Sequence, residues 1–260
     1  NMFKNLPLKI TDPAIWATIE WEFARENDGM ELIASENYTS PAVQEALWSV
    51  FVNKYAEGFP GKRYYGGQEF TDEMETIAIE RAKKIFHADH ANVQALSGAA
   101  ANVCIYNALL EPGDTILGMD LSHGGHLTHG SPVTLMSKVY NFVRYKTSAA
   151  NNNFMDYDNL REMALEHKPK LIIAGYSAHP RELDYEKFVA IGKEVGAIMM
   201  ADVSHFGGLI AAGVMKNPLD YGFHVMMTTT HKTLRGPRGA LILSKGIVSN
   251  PLKAPEKTIE

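Results

Sequence analysis

The segment Thr228-Thr229-Thr230-His231-Lys232-Thr233-Leu234-Arg235-Gly236-Pro237-Arg238-Gly239 sets a lysine just after an apolar run, among His231, Arg235 and Arg238. Neighbouring positive charge favours the neutral amine, the nucleophile that condenses with a carbonyl to form a Schiff base. A solvated basic loop is the plainer alternative, but three successive threonines and a Gly-Pro-Arg-Gly turn are unusual for one. Asp202 closes another apolar run and is followed by Ser204 and His205. A carboxylate there can hold a proton on a pyridine nitrogen and keep that ring an electron sink; it can equally cap a turn. Ser97-Gly98-Ala99-Ala100 opens a helical stretch. Free N–H groups at a helix start make an anion cradle, although an ordinary Ser N-cap reads the same way.

His123, His126 and His129 lie three apart in Leu121 to Gly130 (LSHGGHLTHG). Zinc is the first thought for three histidines. The Gly-Gly pair interrupts any helix that would align them, and only Asp120 is near to complete a shell. One flat imidazole stacked on an aromatic ring is the better functional reading, with structural hydrogen bonding for the other two. Tyr55, Glu57, Tyr64 and Tyr65 surround a Gly/Pro loop, Phe59 to Gly67. A carboxylic acid and phenols beside a pocket can move protons; a surface turn with aromatic anchors is the alternative.

These groups need a scaffold. Thr11-Asp12-Pro13 announces a first helix, with Ile15, Ile19 and Phe23 on one apolar face, and Ser40-Pro41 announces a second running toward Gly58. From residue 71 short apolar runs alternate with helical ones. Helices are predicted at Thr71–Phe86, Ala99–Leu110, Tyr157–His167 and Tyr185–Val195. Strands are predicted at Asn92–Leu96, Asp114–Met119, Leu171–Gly175, Ala197–Asp202, Val225–Thr230 and Ala240–Ser244. That alternation predicts a mostly parallel sheet with helices on both faces, in an α/β domain over 71–260 preceded by an N-terminal helical arm and substrate loop over 1–70. Such sheets bind ligands at the carboxyl ends of their strands.

The 260 residues carry a net charge of -5, which gives no general pull toward nucleic acid or anionic membrane. No apolar run reaches bilayer-spanning length, and no signal-peptide core is visible at the N-terminus. The single cysteine, Cys104, cannot form an intrachain disulfide. A cytoplasmic protein with a buried structural thiol is expected.

Taken together, the runs Leu32 to Asn37 (LIASEN), Asn53 to Gly67 (NKYAEGFPGKRYYGG), Glu111 to Pro132, Asp202-Val203-Ser204-His205 and Thr228 to Gly239 closely resemble serine hydroxymethyltransferases, fold-type I pyridoxal-phosphate transferases. The resemblance implies that Lys232 bonds covalently to pyridoxal 5'-phosphate, with His231 beside it influencing substrate choice. It implies that Asp202 pairs with the pyridine nitrogen, that His205 and Ser177 lie near the phenolic oxygen, and that His126 stacks on the ring. Ser97, Gly98 and Ala99 would hold the phosphate. Ser35 and Tyr65 would contact the amino-acid substrate, Glu57 would handle protons with Tyr55 beside it, and Leu121, Gly125 and Leu127 would meet tetrahydrofolate. In the family the loop with Tyr55, Glu57 and Tyr65 reaches a neighbouring subunit's site, so a homodimer or higher homo-oligomer is implied. The implied reaction interconverts serine plus tetrahydrofolate with glycine plus 5,10-methylenetetrahydrofolate.

The sequence departs from the family pattern around the pocket. Ala95-Leu96 replace a Pro-His or Pro-Tyr pair, and Ala100 stands where many members have Gln. The family's Asp-Met-Ala-His is Asp202-Val203-Ser204-His205, the first of four threonines is Met227, and a usual Tyr is His179. The family also continues into a small domain that supplies the arginine clamping the substrate carboxylate. This stretch alone is therefore expected to bind cofactor weakly and turn over little. Two other readings fit the same residues: a folate-independent aldolase acting on β-hydroxy amino acids, and a non-catalytic binding or dimerisation fragment.

Overall fold

The computed structural model describes residues 6–246 and divides the chain after Glu36. The first unit holds α1 (Leu8–Thr11) and α2 (Pro13–Asp28). The Asp12 side chain accepts a hydrogen bond from the Ile15 amide, and Pro13 fills the first helical position, where its missing N–H costs nothing. No residue of α2 is buried, and the predicted apolar face of Ile15, Ile19 and Phe23 stands exposed.

The second unit begins at Asn37, well before the expected boundary at residue 70. It contains α3 (Pro41–Leu47), the hairpin β1 (Gly58–Phe59) and β2 (Lys62–Arg63), α4 (Glu69–Phe86), β3 (His90–Ala95), α5 (Gly98–Leu109), β4 (Thr115–Met119), β5 (Asn141–Tyr145), β6 (Thr147–Ser148) and β7 (Phe154–Met155). Then follow α6 (Tyr157–His167), β8 (Leu171–Gly175), α7 (Tyr185–Val195), β9 (Ile198–Asp202), α8 (Gly207–Ala211), β10 (Val225–Thr229) and β11 (Ala240–Ser244). The second helix stops at Leu47 rather than approaching Gly58: Ser49 is extended, and β-branched Val50 and Val52 follow in a 3-10 turn.

Seven strands form one sheet in the order β3-β11-β10-β9-β8-β4-β5. β10, β9, β8, β4 and β5 run parallel, while β11 is antiparallel to both β10 and β3. β3 therefore points the same way as β10, and the carboxyl ends of six strands share one edge. Successive strand residues face opposite sides. Ile172, Met199 and Met226 pack under α4, α6 and α7, whereas Ile173, Met200 and Met227 pack under α5. The amphipathic α7 shows why such helices stay: Asp184 caps it, Phe188 is fully buried, and Gly196 ends it with φ 71°.

Cys104 is exposed, contrary to expectation. The buried stripe of α5 runs through Ala101, Asn102, Ile105, Tyr106 and Leu109, which leaves residue 104 on the outer side. Among the described residues no helix is long and apolar enough to cross a membrane.

Candidate active site

The loops after five of the six strands at the common edge, all but β5, contribute to one cavity of about 210 Å³. Ser97, Gly98 and Ala99 follow β3, His126 follows β4 and Ser177 follows β8. Asp202, Ser204 and His205 follow from β9, and Thr229, His231 and Lys232 from β10. Nine residues singled out in the sequence thus converge from distant parts of the chain, as the parallel topology requires.

Lys232 is half-buried, with Nζ 3.2 Å from Nε2 of His205. Burial lowers its pKa, and the facing Asp202 opposes that shift. The cause thus differs from the one expected: desolvation, not His231, Arg235 and Arg238, favours the neutral amine. The loop that carries it is closely tied. The Asn37 side chain donates to the Lys232 carbonyl at 3.0 Å, Gly236 N donates to Thr230 O at 2.7 Å, and the Thr230 hydroxyl donates to Pro237 O at 2.6 Å.

Asp202 is buried and holds four hydrogen bonds. Oδ2 accepts from His129 Nε2 at 2.9 Å and Asn102 Nδ2 at 3.1 Å; Oδ1 accepts from the Ser204 hydroxyl at 2.7 Å and the Ser204 amide at 3.2 Å. Burial alone would push its pKa up, but these donors, His129 foremost, outweigh it and hold the carboxyl ionised well below the usual range. Burial pushes His205 down to about 4, reinforced by Lys232, so this imidazole is neutral at pH 7. Among the described residues its Nδ1 is buried without a partner.

The ring of His126 is fixed by a 2.8 Å contact between its Nδ1 and the Thr128 hydroxyl and by edge-on packing against His129. Burial lowers its pKa, so it offers a neutral flat face. Ser97 caps α5 by accepting from the Ala100 amide at 3.2 Å, so it is both a helix cap and part of the cavity wall. A Cβ on Gly98 would approach Thr229 Cγ2 to 2.9 Å, and glycine lets the first turn of α5 sit against β10.

The remaining candidates lie outside this cavity wall. Tyr65 donates to Glu57 Oε2 at 3.3 Å, and its ring packs edge-on against Tyr55, 5.9 Å between centroids. Both tyrosines are exposed. Leu121 and Leu127 are exposed in short 3-10 turns, and Gly125 is buried between them. Ser35 belongs to the first unit, where it is half-buried. His123 contacts the Thr147 hydroxyl at 2.8 Å.

Sequence reasoning passed over several members of this arrangement. Ser204 and Thr229 line the cavity, and Asn102 holds Asp202 from behind, beside His129, which has the structural hydrogen bond expected of it. Asn102 carried a signal: a polar side chain on the inward stripe of an apolar helix must find partners.

The residues suit an aromatic aldehyde bearing a phosphate. A desolvated amine, an ionised buried acid, a flat imidazole, the unpartnered His205 Nδ1 and the helix-start amides of α5 each match one part of such a molecule.

A family model described as serine hydroxymethyltransferase matches residues 8–259. The chain is 58% identical over 235 residues to a protein of that name from a Nostoc species, covering 90% of this chain and 55% of that one. A namesake from a Synechococcus species is 57% identical over 235 residues, covering 90% and 54%. One from Microcystis aeruginosa is 57% identical over 238 residues, covering 92% and 55%. The chain thus spans about half the length of the curated relatives it matches.

Proposed function

The chain belongs to the serine hydroxymethyltransferase family, and from that premise we propose that the protein carrying it interconverts serine and tetrahydrofolate with glycine and 5,10-methylenetetrahydrofolate. The observation that carries this reading is the single cavity where Lys232, Asp202, His126 and the start of α5 meet. Lys232 would bind pyridoxal phosphate covalently through Nζ. Bound there, the cofactor supplies an electron sink for breaking the bond between the α and β carbons of serine.

The protein's part is orientation and proton control. Asp202, held ionised, would keep a proton on the ring nitrogen. The amides of Ser97, Gly98 and Ala99 would hold the phosphate dianion, favoured by the N-terminal end of the α5 dipole. His126 would hold the ring plane from one side. Ser177 and neutral His205 would donate toward the phenolic oxygen, and His231 would bias substrate choice. Glu57 would hold or release a proton at Oε2, beside the Tyr65 hydroxyl and Tyr55. Ser35 and Tyr65 would orient the amino acid, and Leu121, Gly125 and Leu127 would take the folate.

Glu57, Tyr55 and Tyr65 do not line their own chain's cavity, which supports their serving a neighbouring subunit in a homodimer or larger homo-oligomer. A cytoplasmic location accords with the lone cysteine. The test is methylenetetrahydrofolate formation from serine by the full-length protein loaded with pyridoxal phosphate. Product that depends on serine and folate, and disappears in Lys232→Gln, is expected. Glycine formed equally fast without folate would point to an aldolase, and no product at all would point to a binding module.

A further inference from the structure

Asn102 sits on the buried stripe of α5 and is fully enclosed, yet it is not part of the cavity wall. Its amide nitrogen donates to Asp202 Oδ2 at 3.1 Å and to the Thr128 hydroxyl oxygen at 2.8 Å. Charge decides the orientation of this side chain. An ionised carboxylate only accepts, so the nitrogen, not the carbonyl oxygen, must face Asp202. The two amide hydrogens go to the two partners, and among the described residues the Asn102 Oδ1 is buried with no partner.

The Thr128 arm continues to the cavity. The Thr128 amide donates to His126 Nδ1 at 3.2 Å, which marks that nitrogen as the unprotonated one. The Thr128 hydroxyl oxygen accepts from Asn102, so its own hydrogen is free to point at the same Nδ1, 2.8 Å away. Donation thus runs in one direction, from Asn102 through Thr128 to the His126 ring. Asn102 also lies one helical turn beyond Gly98, about 6 Å along the axis at about 1.5 Å per residue. One turn further, Tyr106 donates to the Thr128 carbonyl at 2.9 Å and holds Thr128 against the same helix. One side chain therefore joins the helix whose start faces the cavity, the acid at the end of β9 and the imidazole on the loop after β4.

We infer that Asn102 is a positioning residue that sets three cofactor contacts in one register: the phosphate cradle at the start of α5, Asp202 and His126. The inference rests on the proposed reading of this cavity as the pyridoxal-phosphate site. Asn102 acts on the cofactor only through the helix it belongs to, Asp202 and the Thr128–His126 pair. His129 ties the same Asp202 oxygen to the His126 amide, whereas Asn102 reaches, through Thr128, the His126 ring. Loss of Asn102 therefore leaves the acid its other donors and disturbs its aim and that of the ring.

The test compares the full-length protein with N102A, T128V, the two combined, and N102D. Pyridoxal-phosphate dissociation constants and the induced circular dichroism of the bound chromophore are measured. N102A is expected to weaken cofactor binding about tenfold, the scale of one charge-assisted hydrogen bond, and to reduce the induced signal. T128V should cost about fivefold in the parent but less than about twofold in the N102A background, where its arm is already cut. N102D keeps the shape and sets a second carboxylate beside Asp202. Two such acids share one proton, which leaves as pH rises. The affinity of N102D relative to the parent should therefore fall by at least about fivefold from about pH 6 to about pH 9, a dependence that a space-filling role would not produce. Equal costs of T128V in the two backgrounds, a pH-independent ratio for N102D, or unchanged binding by N102A would overturn the inference. Should N102A not fold, the pH dependence of N102D decides. If the parent itself takes no cofactor, the site reading fails, and unfolding of the cofactor-free proteins decides the bridge separately. A T128V destabilisation that shrinks in the N102A background supports it, and equal midpoint changes in both backgrounds reject it.

Discussion

At the residue scale, the site works by keeping one base neutral and one acid charged within the same small cavity. Burial lowers Lys232 and His205, while four hydrogen bonds overcome burial at Asp202. The sign for stability follows from proton linkage. A histidine depressed from the ordinary 6.5 to about 4 stays neutral in the fold while the unfolded chain takes up a proton. His205 therefore lowers stability as pH falls from about 6.5 toward about 4, and its contribution levels off below that. His205→Asn is expected to lose less stability than the parent across this window in urea melts at successive pH values. Parallel pH dependence in parent and variant would contradict the assignment. Lys232 acts in the opposite window: its depressed value makes the fold gain stability as pH rises toward the ordinary lysine range. The lysine, the acid and the helix-start residues were readable in the sequence because each ends an apolar run. What was not readable was the reason the amine's pKa is lowered, because desolvation depends on which walls close around it.

At the element scale, the hairpin of β1 and β2 is held by one guanidinium. Arg63 Nη1 donates to the carbonyls of Ala56 and Gly58, each at 2.8 Å, and these flank Glu57. Its Nε reaches Asp72 at 2.8 Å and its Nη2 reaches Glu75 at 2.6 Å, both on α4. Gln94 of β3 adds a donor to the Gly58 carbonyl at 2.9 Å. This clamp ties the loop to α4 and β3 within the second unit. Lysine cannot reproduce a planar fork. Arg63→Lys should therefore raise hydrogen exchange at the Tyr64 amide, which donates to Glu57 O, by at least about tenfold while α7 stays protected. Unchanged exchange at Tyr64 would remove the clamp from the account. Long elements with a clear period, such as α6, α7, β8 and β11, matched the sequence reading residue for residue. The short β1, β2 and β5 were missed: a two-residue strand has no period, and Asn141-Phe142-Val143-Arg144-Tyr145 sits at a sheet edge with mixed polarity.

At the scale of the whole molecule, the segment before the Gly/Pro loop leaves large apolar side chains uncovered, with Trp48 85% and Val50 78% exposed. Apolar surface of that kind is where the neighbouring subunit proposed above would dock. Trp48→Glu is expected to weaken self-association by roughly thirtyfold or more, the loss of an interface hot spot, measured by sedimentation at graded concentrations. Association unaffected by this change would put the contact elsewhere. The overall sheet and its active edge were foreseeable from the alternation of strands and helices. The uncovered faces of α2 and of Val50 were not, since an apolar stripe in sequence does not say whether its cover lies in the same chain. The measurement that bears most directly on the central claim is mass spectrometry after borohydride reduction of the protein mixed with pyridoxal phosphate. One reduced adduct, on the peptide carrying Lys232 and absent from Lys232→Gln, is the predicted result. An adduct spread over surface lysines, or none on Lys232, would contradict it.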